Sequence, residues 1–222
     1  MACLKVESST PSRHDVTDED HAGIKEAMAV CGMRAAMSRS PPDFVTAISL
    51  VQNHGSRILR LRNAQEQTLL HLVAKHNKGD YAGLLLQRGA DPSARDRYGW
   101  QPLRACCTSR GASLDVAKIL LRHGADITAV GPDGWQVVHA AAFFGFAPFA
   151  RFLIEHGVDP NARDRAEATP LHHASSLGRL EVVRVLMEFG ADSSLVDKNG
   201  LRPVDVAVTC GYLQIVEHLG RL

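Results

Sequence analysis

The feature that most constrains this chain is a repeat, in which two short sequence markers recur in phase along its length. The first marker is a glycine that closes an apolar run and is followed by Ala-Asp or Val-Asp. It occurs at Gly89, Gly124, Gly157 and Gly190, which are 35, 33 and 33 residues apart. The second marker is T-L-L-H, Q-V-V-H or T-P-L-H. It ends at His71, His139 and His172. A period of this length indicates one supersecondary unit per repeat, and such units bury their apolar faces only by stacking.

One unit can be followed from Thr169 onward. The Thr169 hydroxyl suits a helix N-cap, and Pro170 suits the first helical position, where its missing N–H has no helical partner in any case. Gly178 can adopt the left-handed conformation that ends a helix. The apolar run over residues 182–187 then predicts a second helix, which Gly190 closes. The sequence therefore predicts pairs of short helices joined by polar turns.

These markers resemble those of the ankyrin repeat, a unit of two antiparallel helices and a β-hairpin loop. The resemblance implies an all-α fold with short β-hairpin loops, a helical solenoid of about five repeats within residues 63–222. The expected repeats span about 63–95, 96–130, 131–163, 164–196 and 197–222. We further expect a degenerate helical capping repeat over residues 19–62 and a disordered tail over residues 1–18, which is rich in Ser, Thr and Asp.

Two units depart from the pattern. In the second, residues 101–104 are Q-P-L-R, so that an arginine replaces the histidine, and two extra residues fall near Gly111 and Ala112. In the last, residues 202–205 are R-P-V-D, and the unit ends after its second helix. An atypical terminal unit is expected of a stack, because its outer face meets water instead of a neighbour.

Composition and the absence of known motifs argue against several classes of function. The formal net charge of +1 argues against nucleic-acid binding, and no stretch is long and apolar enough to predict membrane insertion. The sequence has no P-loop, G-x-S-x-G or H-E-x-x-H motif, and its five cysteines form no C-x-x-C pair. We therefore expect no enzyme activity, no cofactor and no metal site. The N-terminus lacks the apolar segment of a secretory signal, so we expect a monomer in the cytoplasm or the nucleus.

Most of the polar and sulfur side chains that could suggest chemistry have a structural interpretation. The three marker histidines occupy the position where, in ankyrin repeats, an imidazole ties adjacent loops together. Cys106 and Cys107 fall in the small-residue slot of a first helix, where we expect core packing. Cys210 falls in a slot that faces the groove of an ankyrin array, which makes it the best candidate for a reactive thiol.

Aromatic residues make up only 5% of the chain, yet several fall where the repeat requires none. In ankyrin-like arrays the hairpin tips and the exposed side of the first helices line a concave groove that contacts partners. Five aromatic residues map to that groove in the second and third repeats: Tyr98, Trp100, Trp135, Phe143 and Phe144. We predict that they bind a protein partner. The alternative is that they pack within the array. On the binding hypothesis, removal of both tryptophans abolishes partner capture with little loss of thermal stability.

Four arginines form a second candidate contact set on the rim of the groove. They flank aspartates at two hairpin tips: Arg95, Arg97, Arg163 and Arg165. Such a set suits acidic or phosphorylated residues of a partner, and the alternative is local Arg–Asp pairing in a solvated loop. Asn161 lies in a setting similar to that in which ankyrin-repeat asparagines are hydroxylated, so its modification is a further hypothesis.

These features predict a non-enzymatic adaptor or scaffold that holds a partner segment in the groove, with apolar anchors and acidic neighbours on the partner. One alternative is an inhibitory regulatory subunit of an enzyme or transcription factor, which would use the same contact chemistry. Another is an enzyme or a nucleic-acid-binding protein. A steep salt dependence of RNA or DNA binding would favour the latter.

Overall fold

The computed structural model describes residues 18–108 and 114–220, with side chains from residue 27 onward. The predicted disordered tail and the predicted insertion near Gly111 and Ala112 lie outside the described residues, except for Asp18, where the first helix begins. Within the described residues there are twelve α-helices. They are α1 (Asp18–Ser38), α2 (Phe44–His54), α3 (Leu69–Lys75), α4 (Gly79–Gln87), α5 (Pro102–Ala105), α6 (Leu114–Arg122), α7 (Val137–Phe144), α8 (Ala147–Glu155), α9 (Pro170–Ser176), α10 (Leu180–Glu188), α11 (Pro203–Thr209) and α12 (Leu213–Gly220).

The helices form successive pairs that stack in chain order. The first helices of the pairs contact one another from α3 through α5, α7 and α9 to α11, and the second helices do so from α4 to α12. Helix α1 packs on α2 in front of this array. The fold is thus an all-α stack of helix pairs, as the repeat predicts.

The helix starts follow from the marker residues. Thr169 is extended at φ −91° and ψ 166°, Pro170 opens α9, and the Thr169–His172 pair forms a capping box. Helix α5 is the exception, because it is a single α-turn that continues as a 3₁₀ segment over Cys106–Thr108. The shortened helix lies in the repeat whose marker carries Arg104 in place of histidine.

The loops between pairs form closed turns, and the described residues include no β-strand. In each loop a backbone amide donates to the carbonyl four residues later, as from Asp96 to Trp100 and from Asp164 to Ala168. A single backbone bond links neighbouring loops at three of the four junctions among the described residues, as from the Arg165 amide to the Asp133 carbonyl at 3.0 Å. One bond per junction does not form the ladder of a sheet, so the expected hairpins are present only as turns.

The core is largely aliphatic and continuous from α1 to α12. Its largest fully buried side chain is Phe149 on α8. Cys106 and Cys107 are buried in this core, where burial raises the pKa of the Cys106 thiol to about 12. The core-packing interpretation of these two cysteines is confirmed. No helix in the described part of the chain is both long and apolar enough to cross a membrane.

Candidate functional site

Five side chains from the second and third repeats form a connected surface, which we call the aromatic cluster: Trp100, Arg104, Trp135, Phe143 and Phe144. The ring centroids of Trp100 and Trp135 are 6.4 Å apart, those of Trp135 and Phe143 are 5.4 Å apart, and those of Phe143 and Phe144 are 5.3 Å apart. The Arg104 guanidinium lies 4.0 Å from the Trp100 ring and 5.9 Å from the Phe144 ring. Four of the five predicted aromatic residues are therefore brought together.

The rings of the cluster differ in exposure. Phe143 and Phe144, on α7, are 37% and 38% exposed. The two tryptophans are half-buried at the ends of their loops. Trp135 packs against the core and lies 4.5 Å from the His173 ring. The packing alternative therefore holds for the tryptophans, whereas the phenylalanines remain open to solvent and their contact with a partner stays a prediction.

Trp100 packs on the loop of the following repeat at Gly131. A Cβ atom built on Gly131 would lie 2.4–2.9 Å from three carbon atoms of the Trp100 ring, which is closer than such atoms approach in proteins. The close approach of ring and backbone therefore requires a glycine at this position. This contact ties the second repeat to the third, in the repeat where Arg104 replaces the bridging histidine.

Replacing Gly131 by alanine is expected to displace the Trp100 ring and lower the free energy of unfolding by about 1–3 kcal/mol. Because both tryptophans lie in the cluster, their fluorescence should change as well. Gly83 is a matched control, since it lies within α4 and a Cβ there meets nothing within 4 Å. Gly83→Ala should stabilise the chain by about 0.5–1 kcal/mol. Equal stability effects of the two variants in a urea titration would contradict the packing role of Gly131.

The marker histidines bridge adjacent loops, as the resemblance implied. The Nδ1 atoms of His71, His139 and His172 accept from the amide three residues before, at 3.2, 3.0 and 3.1 Å. Each Nε2 lies 3.0 Å from a backbone carbonyl oxygen of the loop that follows its helix pair, at Trp100, Ala162 and Leu201 respectively. Because Nδ1 accepts, these rings are neutral with the proton on Nε2. Burial lowers the pKa of all three, to about 4 for His139.

His173 and Asp164 form a second polar contact beside the cluster. The His173 Nε2 atom lies 2.9 Å from the Asp164 carboxylate, whose other oxygen accepts from the amides of Ala166 and Ala168. Burial raises the pKa of Asp164, but these hydrogen bonds outweigh it and the net pKa is lowered. Asp164 thus closes its own loop, and a role in loop structure explains its contacts.

The remaining aromatic candidate, Tyr98, lies apart from the cluster. Its side chain is 60% exposed at the tip of its loop, and no ring in the described part of the chain contacts it. Its amide donates to the Asp96 carboxylate at 2.9 Å, which places it in the turn rather than on the first-helix surface. Tyr98 was predicted to lie in the groove with the other four rings, and its contact with a partner stays a prediction.

The rim arginines divide into two kinds. Arg95 donates to the carbonyls of its own loop and of Val130 at 3.2 Å, and Arg163 donates to Glu167 and to the Val196 carbonyl at 3.4 Å. These two arginines join neighbouring loops, and neither pairs with the aspartate next to it. Arg97 and Arg165 are exposed and bond to no described side chain. Partner contact by the rim stays a prediction, and Arg97 and Arg165 are the two rim arginines without a described side-chain partner.

The structure also shows the surroundings of two other candidate residues, Asn161 and Cys210. The Asn161 side chain accepts from the Asp192 amide at 2.7 Å and lies 3.4 Å from the Gly190 carbonyl, so it joins two repeats. Cys210 is an exposed free thiol at the end of α11. Its reactivity remains a prediction. Among the residues described, no group of three or more His, Cys, Asp or Glu side chains is placed to hold a metal ion.

Arg104 and His173 are the members of this site that the sequence reasoning missed. The signal for Arg104 was present, because it stands where the repeat marker has histidine. A side chain released from the loop bridge is free to lie on the first-helix surface. His173 gave no such signal, since its contact with Trp135 depends on how two repeats stack.

Stacked helix pairs that repeat along the chain define a helical repeat protein. A family model described as ankyrin repeats in three copies matches residues 33–131 and 137–220, and one described as ankyrin repeats in many copies matches residues 109–154. The chain belongs to the ankyrin-repeat family, whose members generally serve as protein–protein interaction modules. A search among curated proteins found none that matches it.

Proposed function

We propose that this protein is a non-enzymatic adaptor that holds a segment of a partner protein on its aromatic cluster. The observation that carries the proposal is the pair of exposed rings at Phe143 and Phe144. They stand on a surface in which Trp135 packs against the core and Trp100 packs on the Gly131 backbone. A rigid aromatic surface contributes binding energy with little loss of side-chain entropy on association.

The test compares two double variants of the full chain. Phe143→Ser with Phe144→Ser is expected to abolish retention of the partner in affinity purification, while the free energy of unfolding changes by about 1 kcal/mol or less. Val45→Ser with Leu213→Ser is the control, because these side chains are 73% and 76% exposed at other sites. The control should retain the partner. Loss of the same partner in both variants would contradict the proposal.

Variants of the exposed phenylalanines test binding more cleanly than variants of the tryptophans. Trp100 packs on Gly131, and Trp135 packs on the core, so alanine at both positions is expected to lower stability as well as binding. The sequence-based expectation that stability would survive their removal therefore conflicts with their packing. A binding defect in the tryptophan variants would not separate the two causes.

An inhibitory regulatory subunit is the second candidate function, since it would use the same surface. Measuring the activity of the purified partner with and without this chain separates the two, because only an inhibitor lowers it. We place the protein in the cytoplasm or the nucleus. The free cysteines in the described residues, two of them exposed, support a reducing compartment.

A further inference from the structure

Arg104 occupies the position at which the first, third and fourth repeats have their bridging histidine. Those histidines donate to a carbonyl of the next loop, whereas Arg104 makes no such bond. Its guanidinium instead lies on the Trp100 ring and near Phe144, within the aromatic cluster. At this position the second repeat therefore has no neutral loop bridge, and Arg104 instead places a permanent positive charge on the proposed binding surface.

Arg104 forms no ion pair in the described part of the chain, and the negative charge of Asp96 acts on it only at longer range. Its side chain forms no hydrogen bond or ion pair there, and its Nε atom is enclosed without an acceptor. The nearby Oε1 atom of Gln101 is also enclosed without a donor. The Asp96 carboxylate accepts from the amides of Tyr98 and Trp100. Burial lowers the pKa of Arg104.

A half-buried guanidinium without an acceptor lowers the stability of a fold, because its lost hydration is not replaced. The faces of Trp100 and Phe144 offset part of this cost through cation–π attraction. They leave the edge of the guanidinium, with its N–H groups, without a partner. An anion supplied by a ligand would complete the arrangement with a two-bond fork.

We propose that Arg104 binds a carboxylate of the partner segment while apolar side chains beside that carboxylate pack on Phe143 and Phe144. This inference rests on the proposed function and names the chemistry of its ligand. The Arg104 guanidinium lies close to both the Trp100 and the Phe144 rings, so a segment that covers these rings also passes over the guanidinium along its length. The carboxylate therefore comes from an Asp or Glu side chain. One guanidinium balances one carboxylate, whereas a phosphate dianion would keep an excess negative charge.

The experiment is a selection from random peptides displayed as C-terminal fusions, so that acidic side chains and free chain ends can both be chosen. The full chain should enrich peptides with Asp or Glu beside apolar residues. Arg104→Met should select apolar peptides without the acidic preference, and Arg104→Lys should keep it in weaker form. If the wild-type chain and Arg104→Met select the same peptides, the role of Arg104 is overturned.

Binding measurements with synthesised peptides then give the size of the contribution that the acidic side chain makes to affinity. Replacing the selected Asp or Glu by Asn or Gln should weaken binding to the wild-type chain about 10- to 100-fold and to Arg104→Met hardly at all. C-terminal amidation should leave affinity unchanged. A loss on amidation would assign the carboxylate to the chain end and overturn the side-chain assignment.

Two outcomes separate this inference from the proposed function. Selection of apolar peptides that need Phe143 and Phe144 but show no acidic preference would overturn the role of Arg104. The proposed binding of a partner by the aromatic cluster would still stand. Recovery of no peptide, or only of peptides that bind the Phe143→Ser, Phe144→Ser variant equally well, would overturn both. The thermal midpoint of Arg104→Met shows whether the variant is folded, and we expect it to equal or exceed that of the wild type.

Discussion

Replacing Phe149 by alanine is expected to lower the free energy of unfolding by about 3–5 kcal/mol, the largest effect of any single substitution considered. Phe149 is fully buried on α8. Its ring lies 5.6 Å from that of Phe146 and 6.1 Å from that of Phe152. The variant loses the burial of a large ring, and the helices around it cannot close the cavity without moving the repeats on either side. The loss is a large share of the stability of an ordinary domain.

Phe143→Ala is the matched control, because it removes the same group from the neighbouring helix at a position that is 37% exposed. We expect its cost to be about 1 kcal/mol or less. Urea unfolding followed by far-UV circular dichroism measures both variants. A Phe149 variant as stable as the Phe143 variant would show that the third repeat is not packed as described.

The second large effect is a loss of stability in mild acid. His139 is fully buried, and its pKa falls to about 4 because of burial and the nearby His173. The unfolded chain, in which the histidine pKa is about 6.5, binds a proton first as the pH falls. Stability is therefore complete above pH 6.5 and declines toward pH 4. His139 alone accounts for about 2 kcal/mol by pH 5 and about 3 kcal/mol by pH 4.

His71 and His172 add to this loss, because burial lowers the pKa of each of them as well. Urea titrations between pH 7 and pH 5 measure the slope in a range where most carboxylates keep their charge. A His139→Gln variant should be less stable at pH 7, because its loop bridge is altered, yet lose less stability on acidification. An unchanged slope in this variant would contradict the neutral, buried state of His139.

Much of the fold could be predicted from local sequence. Thr169, Pro170 and Gly178 specify the start and end of a helix through a local side-chain cap, a missing N–H group and a left-handed backbone conformation. These effects depend on neighbouring residues in the sequence, so they can be predicted without the tertiary structure. The bridging role of His172 could be predicted because the marker repeats. Which aromatic rings pack within the array and which stay exposed could not be predicted in this way. Whether Trp100 packs or stands free depends on the Gly131 backbone, which belongs to the next repeat.

The sequence by itself determined the repeat, the family, the helix pairs and the slots in which aromatic residues gather, because each of these depends on local patterns that recur. Only the tertiary structure separated Phe143 and Phe144, which are exposed, from Trp100 and Trp135, which support the array. It also placed Arg104 beside two aromatic rings, with no ion pair among the described residues. Exposure and charge pairing arise from the stacking of neighbouring repeats, and no single repeat contains that information.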